Sequence, residues 1–313
     1  LWDNKNREFR GFKTVKMIDP DSNYSTTTYA QDDLYKGRPL TQASYDSTNK
    51  LFSKSENIWA NQVLYPNVNF AYLKQTDSYI YDGDTTGRRT QAQFFYDQTP
   101  QYGNLTKSIN FGEVNLTTGA DIGTDKSTTE VSYHNNATAW LLGLPKVTTI
   151  KDNAGTQFAK TTFYYDNFTN FEVLPVRGFL TMKVDWAGDT PGMMNPFTKY
   201  NYDAIGNLIT TSDSNNSTTT ITYDPTYKLF PLTTKNALNH TVSNEYYGIN
   251  GVALSSGDGT YGIWGQLKST TDPNQKKGMR IYDAFGRTVK MISPLDTIAL
   301  PTRVMSMCMA FRS

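Results

Sequence analysis

Residues 202–224 read YDAIGNLITTSDSNNSTTTITYD, and this stretch decides the fold. The Tyr-Asp pair that begins it is followed after four residues by Gly206, after seven more by Asp213, and after ten more by a second Tyr-Asp pair at Tyr223. The two pairs are therefore 21 residues apart. A fixed period of about 20 to 50 residues is typical of proteins that repeat one small structural unit many times. The stretch predicts such an array.

The same spacings return near the C-terminus. Gly265 and Asp272 are seven residues apart, Asp272 and Tyr282 are ten apart, and the glycine of the next turn comes four residues later. The heptapeptide TVKMIDP at 14–20 also recurs as TVKMISP at 288–294. The spacing of seven recurs between Gly178 and Asp185. The spacing of ten recurs between Asp19 and Tyr29 and between Asn236 and Tyr246. The two ends of the chain are thus predicted to consist of related units.

Turn chemistry explains the fixed positions. An Asp such as Asp203 supplies a side-chain acceptor for the amides of a type I turn, and Gly206 supplies the positive φ with which the chain re-enters a hairpin. At the other end of the unit, Asp272 is the acceptor of a second turn, Pro273 presets φ, and Asn274 is the adaptable residue. Strands are therefore predicted to run between two kinds of turn.

The segments between the turns have the length and composition of strands. Residues 207–212 and 266–271 are six residues each, which is about 20 Å of extended chain. Residues 218–223 (TTTITY) and 198–202 (TKYNY) are β-branched and aromatic. Sustained spacing of apolar residues at three and four positions is absent from the sequence. We therefore predict an all-β fold of short antiparallel β-hairpins with little or no helix.

The repeats define the expected domain organisation. We predict one continuous β array over 1–297, with the clearest repeats in 143–297, and an off-pattern, poorly ordered tail over 298–313. The chain begins at Leu1 without a signal sequence, which suggests a piece of something longer. Three interruptions of the spacing are predicted to be longer surface loops: 115–129, 187–196 and 249–261.

Composition excludes several classes of function. Hydrophobic residues make up 37% and charged residues 19%, with 21 Tyr and 16 Phe, so a β protein with a core is expected. The net charge is +1 without a block of like charge, which argues against nucleic acid. The longest apolar run, 139–144, is too short for membrane insertion. The single cysteine, Cys308, excludes an internal disulfide framework.

One acidic segment imitates a metal site. Asp19, Asp21 and Asn23 match the opening of a calcium-binding loop. However, Tyr24 stands where such a loop needs Gly, and Ala30 stands where it needs a bidentate Glu. We therefore expect no metal here.

Other candidate chemical groups also fit a structural role better. His134 and His240 are the only histidines, and neither lies in a metal-type or triad-type cluster. Asp32 and Asp33 are adjacent, so on a strand they point to opposite faces and cannot flank one glycosidic bond. We therefore predict no catalytic, cofactor-binding or metal-binding residue, no cofactor, and no enzymatic activity. Trp140, Trp186 and Trp264 are expected either to pack or to contact a bound polypeptide or sugar.

The repeat also carries a resemblance to a known family. Five stretches carry it: YDAFGR at 282–287, YDAIGNL at 202–208, GQLKSTTDPN at 265–274, REFRGF at 7–12, and YDPTYKLFPLTTKNALNH at 223–240. The first three resemble the consensus of the RHS/YD-repeat family. The last two resemble the B component of bacterial insecticidal toxin complexes and related virulence proteins. One departure is Asn239, where the family usually has Gly.

The resemblance implies a curved strip of hairpins that forms part of a hollow shell around an unfolded toxin polypeptide. The implied partners are other segments or subunits of a toxin complex and the enclosed polypeptide, and the implied location is secreted or extracellular in bacteria. The aspartyl autoprotease region found in the C component of these complexes is not visible in this sequence. No catalytic residue can therefore be carried over.

Three functions remain open at this stage. The first is the shell segment. The second is a cell-surface adhesion or carbohydrate-binding module, with a glycan as a possible partner. The third is a polysaccharide-active enzyme, which would need two carboxylates on different strands about 5 to 9.5 Å apart.

Overall fold

The computed structural model of the chain describes residues 2–4, 7–98, 102–190, 192–257 and 259–305. Within these residues the regular secondary structure is entirely β, and each hairpin is antiparallel. The described part of the chain contains no helix, and so none that could span a membrane. The predicted all-β array of antiparallel hairpins is confirmed.

The first of two compact units comprises Leu1–Gly178 and Asp185–Asn195. In it, β1 pairs with β2, and each strand from β3 to β11 pairs with the next one along the chain. Its strands are β1 Trp2–Asp3, β2 Glu8–Phe9, β3 Thr14–Ile18, β4 Tyr24–Tyr29, β5 Pro39–Tyr45, β6 Leu51–Tyr65, β7 Val68–Ile80, β8 Arg88–Tyr96, β9 Leu105–Val114, β10 Ser127–Asn136, β11 Leu141–Lys151 and β12 Gln157–Tyr165.

The second unit comprises Phe179–Val184 and Pro196–Ser313. Each of its strands again pairs with the next one along the chain. They are β13 Leu180–Asp185, β14 Phe197–Tyr202, β15 Leu208–Asp213, β16 Thr218–Tyr223, β17 Pro231–Lys235, β18 Thr241–Tyr246, β19 Leu267–Thr271, β20 Lys277–Tyr282, β21 Thr288–Ile292 and β22 Arg303–Val304.

Strand length differs between the two units. From β13 to β21 the strands have five or six residues, as the 21-residue period predicts. In contrast, β6 has 15 residues and β7 has 13. The sequence of this hairpin has no Asp-x-x-Gly turn to interrupt either strand, so they extend further.

Both edges of the array use one turn device. Asp203 Oδ1 accepts the backbone N–H groups of Ile205 at 3.0 Å and Asn207 at 2.9 Å, and Gly206 has φ +101°. At the other edge, the Asp272 carboxylate accepts two turn amides in the same way. There the left-handed residue is Gln275, with φ +62°, rather than the neighbouring asparagine. An acidic or amide acceptor followed after three residues by a left-handed residue is thus the common rule.

In four hairpins a tyrosine hydroxyl joins the second strand to the first. Tyr282, the last residue of β20, donates through its hydroxyl to the carbonyl of Leu267, the first residue of β19, at 2.9 Å. At the same tyrosine the pairing with β21 shifts register by one residue. The same bond from the last residue of a strand to the first residue of the preceding strand is made by Tyr202 to Leu180, Tyr223 to Leu208, and Tyr246 to Pro231. We refer to these four bonds as the tyrosine staples.

The continuous array over 1–297 stays a prediction, since each unit is described by itself. Within the predicted tail, Arg303–Val304 forms β22 and pairs with β21. Residues 306–313 lie outside the described residues, so the expectation of poor order over 298–313 also stays a prediction.

Candidate functional site

The carboxylates that imitate a calcium loop belong to a hairpin turn. Asp19 accepts the backbone N–H of Asn23 at 2.8 Å and its side-chain amide at 3.0 Å, and Ser22 takes the left-handed conformation with φ +68°. Asp32 likewise accepts the backbone N–H groups of the two residues that follow Asp33. Among the described residues there is no group of three or more potential metal ligands.

The two histidines occupy different environments. His134 is buried on β10, where its Nε2 lies 2.8 Å from the carbonyl oxygen of Phe171 and its ring meets Tyr165 edge to face. Burial lowers the pKa of His134 below its usual value. His240 lies in a turn, where its backbone N–H donates to Asn236 Oδ1. Neither position resembles a triad or a metal site.

The tryptophans contribute in different ways. Trp264 packs edge to face against Tyr227 and Phe230, with ring centroids 5.1 and 5.3 Å away. Trp186 donates through its indole N–H to Asp189 at 3.1 Å. Trp140 is 78% exposed and has φ +56°, so it projects from a turn. Packing therefore accounts for Trp264, while the indole of Trp140 is exposed to solvent.

The densest cluster of ionisable and amide groups lies across β6, β7 and β8. Glu56, Asp77 and Gln91 are direct partners on the three strands, so their side chains share one face. We refer to the whole cluster as the polar ladder. Its members are Lys54, Glu56, Gln75, Asp77, Tyr79, Arg89, Gln91 and Gln93.

Asp77 is the centre of the polar ladder. It is 3% exposed, and its carboxylate accepts bonds from Gln75 at 2.8 Å, from Gln91 at 3.0 Å, and from Arg89 at 2.8 and 3.0 Å. Burial by itself would raise the pKa of Asp77, but the bonds from Gln91, Gln75 and Arg89 outweigh it and hold the pKa below its usual value. Asp77 is therefore a fixed anion that ties three side chains together.

Glu56 is also held ionised. The Lys54 ammonium beside it is the largest cause of its lowered pKa, and the hydroxyl of Tyr79 donates to it at 3.0 Å. Burial and this bond to Glu56 raise the pKa of Tyr79 to about 12. A glycosidase acid needs a carboxyl whose pKa is raised, so that it carries a proton near neutral pH. The pair of Glu56 and Asp77 does not meet this need, although the two lie on neighbouring strands.

An aromatic cavity of about 350 Å³ lies beside the polar ladder. Tyr72 and Tyr96 line it with their ring centroids 4.9 Å apart, and both rings also contact Phe70, with centroids 5.5 and 5.4 Å away. Lys74 and Gln98 add polar groups to the lining. Aromatic rings next to amide groups can hold a sugar ring or an extended polypeptide. The sequence did not single out these residues as a site, because their convergence depends on a register that no local motif encodes.

Comparison with family models and with curated proteins finds no match to this chain. Solved structures do match. A crystal structure of TcdB2-TccC3-Cdc42 and one of TcdB2-TccC3 without its hypervariable C-terminal region each have a TM-score of 0.58 at 13% identity and cover 93% of this chain. A structure of the Photorhabdus luminescens Tc holotoxin pore has a TM-score of 0.55 at 13% identity with the same coverage. The chain spans about a fifth of the length of these neighbours, 20 or 21%.

An identity of 13% shows a shared fold and nothing finer. The shared fold extends over nearly the whole chain, which agrees with the hairpin array that the Tyr-Asp motifs predict. The chain therefore shares the β-hairpin fold of part of these Tc toxin structures.

Proposed function

We propose that this chain is a non-catalytic segment of an RHS-type shell that encloses or carries an unfolded toxin polypeptide. The observation that carries the proposal is the tyrosine staples and Asp-capped turns, which repeat over a fold shared with the TcdB2-TccC3 chains. In these repeats the turn carboxylates bond to backbone amides of the same turn, and the tyrosine hydroxyls bond to carbonyls of the preceding strand. The proposed partners are other segments or subunits of a secreted bacterial toxin complex and the enclosed polypeptide.

The polar ladder supports this role by its charge balance. Lys54 and Arg89 each pair with a carboxylate, Glu56 and Asp77 respectively, so this surface offers a guest no unpaired charge within the ladder. A wall of this kind excludes proteases while making few strong contacts. Release of an unfolded polypeptide from it would then cost little free energy.

Small-angle scattering with a guest titration tests the proposal. A filled globule of this length has a radius of gyration of about 20 Å. We expect the folded chain to have a clearly larger radius of gyration. A reduced, carboxymethylated polypeptide used as the guest should bind with a dissociation constant weaker than about 100 μM. A radius at the globular value together with guest binding tighter than about 1 μM would contradict a wall and favour a dedicated binding module.

The aromatic cavity favours a second candidate, an adhesion or carbohydrate-binding module. Tyr72 and Tyr96 lie where a sugar ring could stack, and Gln98 could bond to its hydroxyls. A glycan array screened with the purified chain tests this directly. Saturable binding that Tyr72→Ala abolishes and Tyr200→Ala leaves intact would support it, and an array without signal would dismiss it.

A further inference from the structure

A second cavity, of about 470 Å³, lies over β19 to β22. Register places its charged residues together. Arg280 on β20 is the partner of Met291 on β21, and Met291 is in turn the partner of Arg303 on β22. Direct partners project from the same face, so the two arginines flank one methionine with their Cα atoms about 10 Å apart.

Gly278 lines this cavity and leaves free space in it. A Cβ placed on Gly278 would meet nothing closer than the carbonyl oxygen of Ile292 at 3.6 Å, so the floor is open there. Hydroxyl groups of Ser293 and Thr302 line the rim, 2.7 Å from one another. A volume of this size falls within the range of small-molecule sites, about 300 to 1,000 Å³.

The charges of the cavity favour an anion. In the described part of the chain, neither Arg280 nor Arg303 is within ion-pair distance of a carboxylate. The described residues that line the cavity include no acid, and Asp296 lies next to the lining, where it contacts the hydroxyl of Thr302. The lining thus holds two guanidinium groups and no carboxylate, and guanidinium groups are suited to phosphate and carboxylate through paired N–H donors.

We propose that this cavity binds an organic anion whose phosphate or carboxylate lies between Arg280 and Arg303 and whose short apolar part packs on Met291. Nothing in the shell role requires such a site, so the proposal is independent of it. The ligand class is defined by an oxyanion joined to a few methylene groups. The two possible sources of the oxyanion, a phosphate ester and a carboxylic acid, are separated by the choice of probe.

Calorimetric titration at fixed low ionic strength, with hexyl phosphate, hexanoate and inorganic phosphate, is the test. At least one of the two amphiphiles should bind with a dissociation constant below about 1 mM, and inorganic phosphate should bind at least about tenfold more weakly than hexyl phosphate. Binding of hexyl phosphate alone identifies a phosphate-ester site, and binding of hexanoate identifies a carboxylate site. Failure of both amphiphiles to saturate the protein, or binding of inorganic phosphate as tight as that of the amphiphiles, overturns the proposal.

Four variants locate the site. Arg280→Gln and Arg303→Gln should each weaken binding by about tenfold or more, and Asp296→Asn should tighten it. Gly278→Val should remove binding by filling the floor while keeping both charges. Arg88→Gln, a matched loss of one exposed arginine on β8, should change affinity by less than about twofold. Equal weakening by Arg88→Gln would show general attraction of anions and contradict a built site.

Discussion

At the scale of the residue, the array depends on side-chain acceptors in its turns. Asp224 is the most demanding example, because it is 1% exposed and accepts the backbone N–H groups of Tyr227, Leu229 and Phe230 at 2.6 to 3.0 Å. Buried amides without a partner are costly. One carboxylate therefore determines the path of the whole 224–230 turn.

We predict that Asp224→Ala lowers the free energy of unfolding by about 2 kcal/mol or more, because it leaves three amides without their acceptor. Urea denaturation at pH 7 measures the change. Asp213→Ala is the matched control, since Asp213 accepts two amides in a more exposed turn and should cost less. A larger loss for Asp213→Ala would contradict the role assigned to burial.

The same carboxylate has a defined pH dependence. Burial opposes ionisation of Asp224, but the bonds from Phe230, Tyr227 and Leu229 prevail and lower its pKa. A lowered pKa in the folded state means that this stabilisation is present above the unfolded value of about 3.9 and is lost as pH falls through the folded value. The difference in stability between the wild type and Asp224→Asn should therefore narrow at acidic pH.

Turn residues were predictable from sequence because their bonds are local. Asp203 and Gly206 are separated by only three residues, and turn chemistry alone assigns both roles. In the Asp272 turn, by contrast, turn chemistry did not identify the residue with positive φ, which is Gln275. Glutamine has no special tolerance for that conformation, so its sequence gave no signal.

At the scale of the element, the tyrosine staples hold neighbouring strands in register. Tyr282→Phe removes only the hydroxyl that donates to the Leu267 carbonyl, and we expect a loss of about 1 kcal/mol of unfolding free energy. Chemical denaturation measures it. Tyr200→Phe on β14, outside the four staples, should be nearly neutral. Equal effects of both substitutions would contradict the staple.

The loop after β12 is the element that acid should loosen. His134 and Asn136 hold it through the carbonyls of Phe171 and Pro175 at 2.8 Å. Burial lowers the pKa of His134, and nearby Lys146 lowers it further, while the Phe171 bond and Glu172 raise it. The folded state therefore binds this proton less readily than the unfolded state, and stability falls as pH drops below about 6.5.

Hydrogen exchange of the amides in 168–177 at pH 7.5 and 5.5 measures this opening. Exchange, corrected for its intrinsic pH dependence, should be faster at the lower pH, and His134→Gln should abolish the difference. His240→Gln provides the control, because the other histidine lies in a turn and should leave the difference intact. A pH effect that follows His240 would refute the assignment.

Strand pairing explains why the polar ladder was not predicted. Glu56, Asp77 and Gln91 meet only because β6, β7 and β8 have one register, and a shift of one residue would move each side chain to the opposite face. The period of 21 residues does not extend over these long strands. Sequence reasoning therefore identified the hairpins but not which side chains face one another.

At the scale of the whole molecule, stability in a repeat array is expected to be mostly a sum of nearest-neighbour terms. We predict that Asp224→Ala raises hydrogen exchange mainly in strands β14 to β21 and leaves β3 to β12 close to the wild type. Mass spectrometry of exchanged peptides resolves the two regions. A uniform rise along the chain would instead indicate one cooperative folding body.

The tyrosine staples also bear on how such a chain can change length in evolution. Each staple reaches only the preceding strand, and the turn that Asp203 and Asn207 form bonds to the next turn along the same edge, at the carbonyl of Lys228. An in-frame duplication of one period would thus add a complete hairpin, two strands wide or about 10 Å, without leaving an unmatched partner elsewhere. Genes for arrays of this kind can therefore grow or shrink by whole hairpins, while changes of part of a period are selected against.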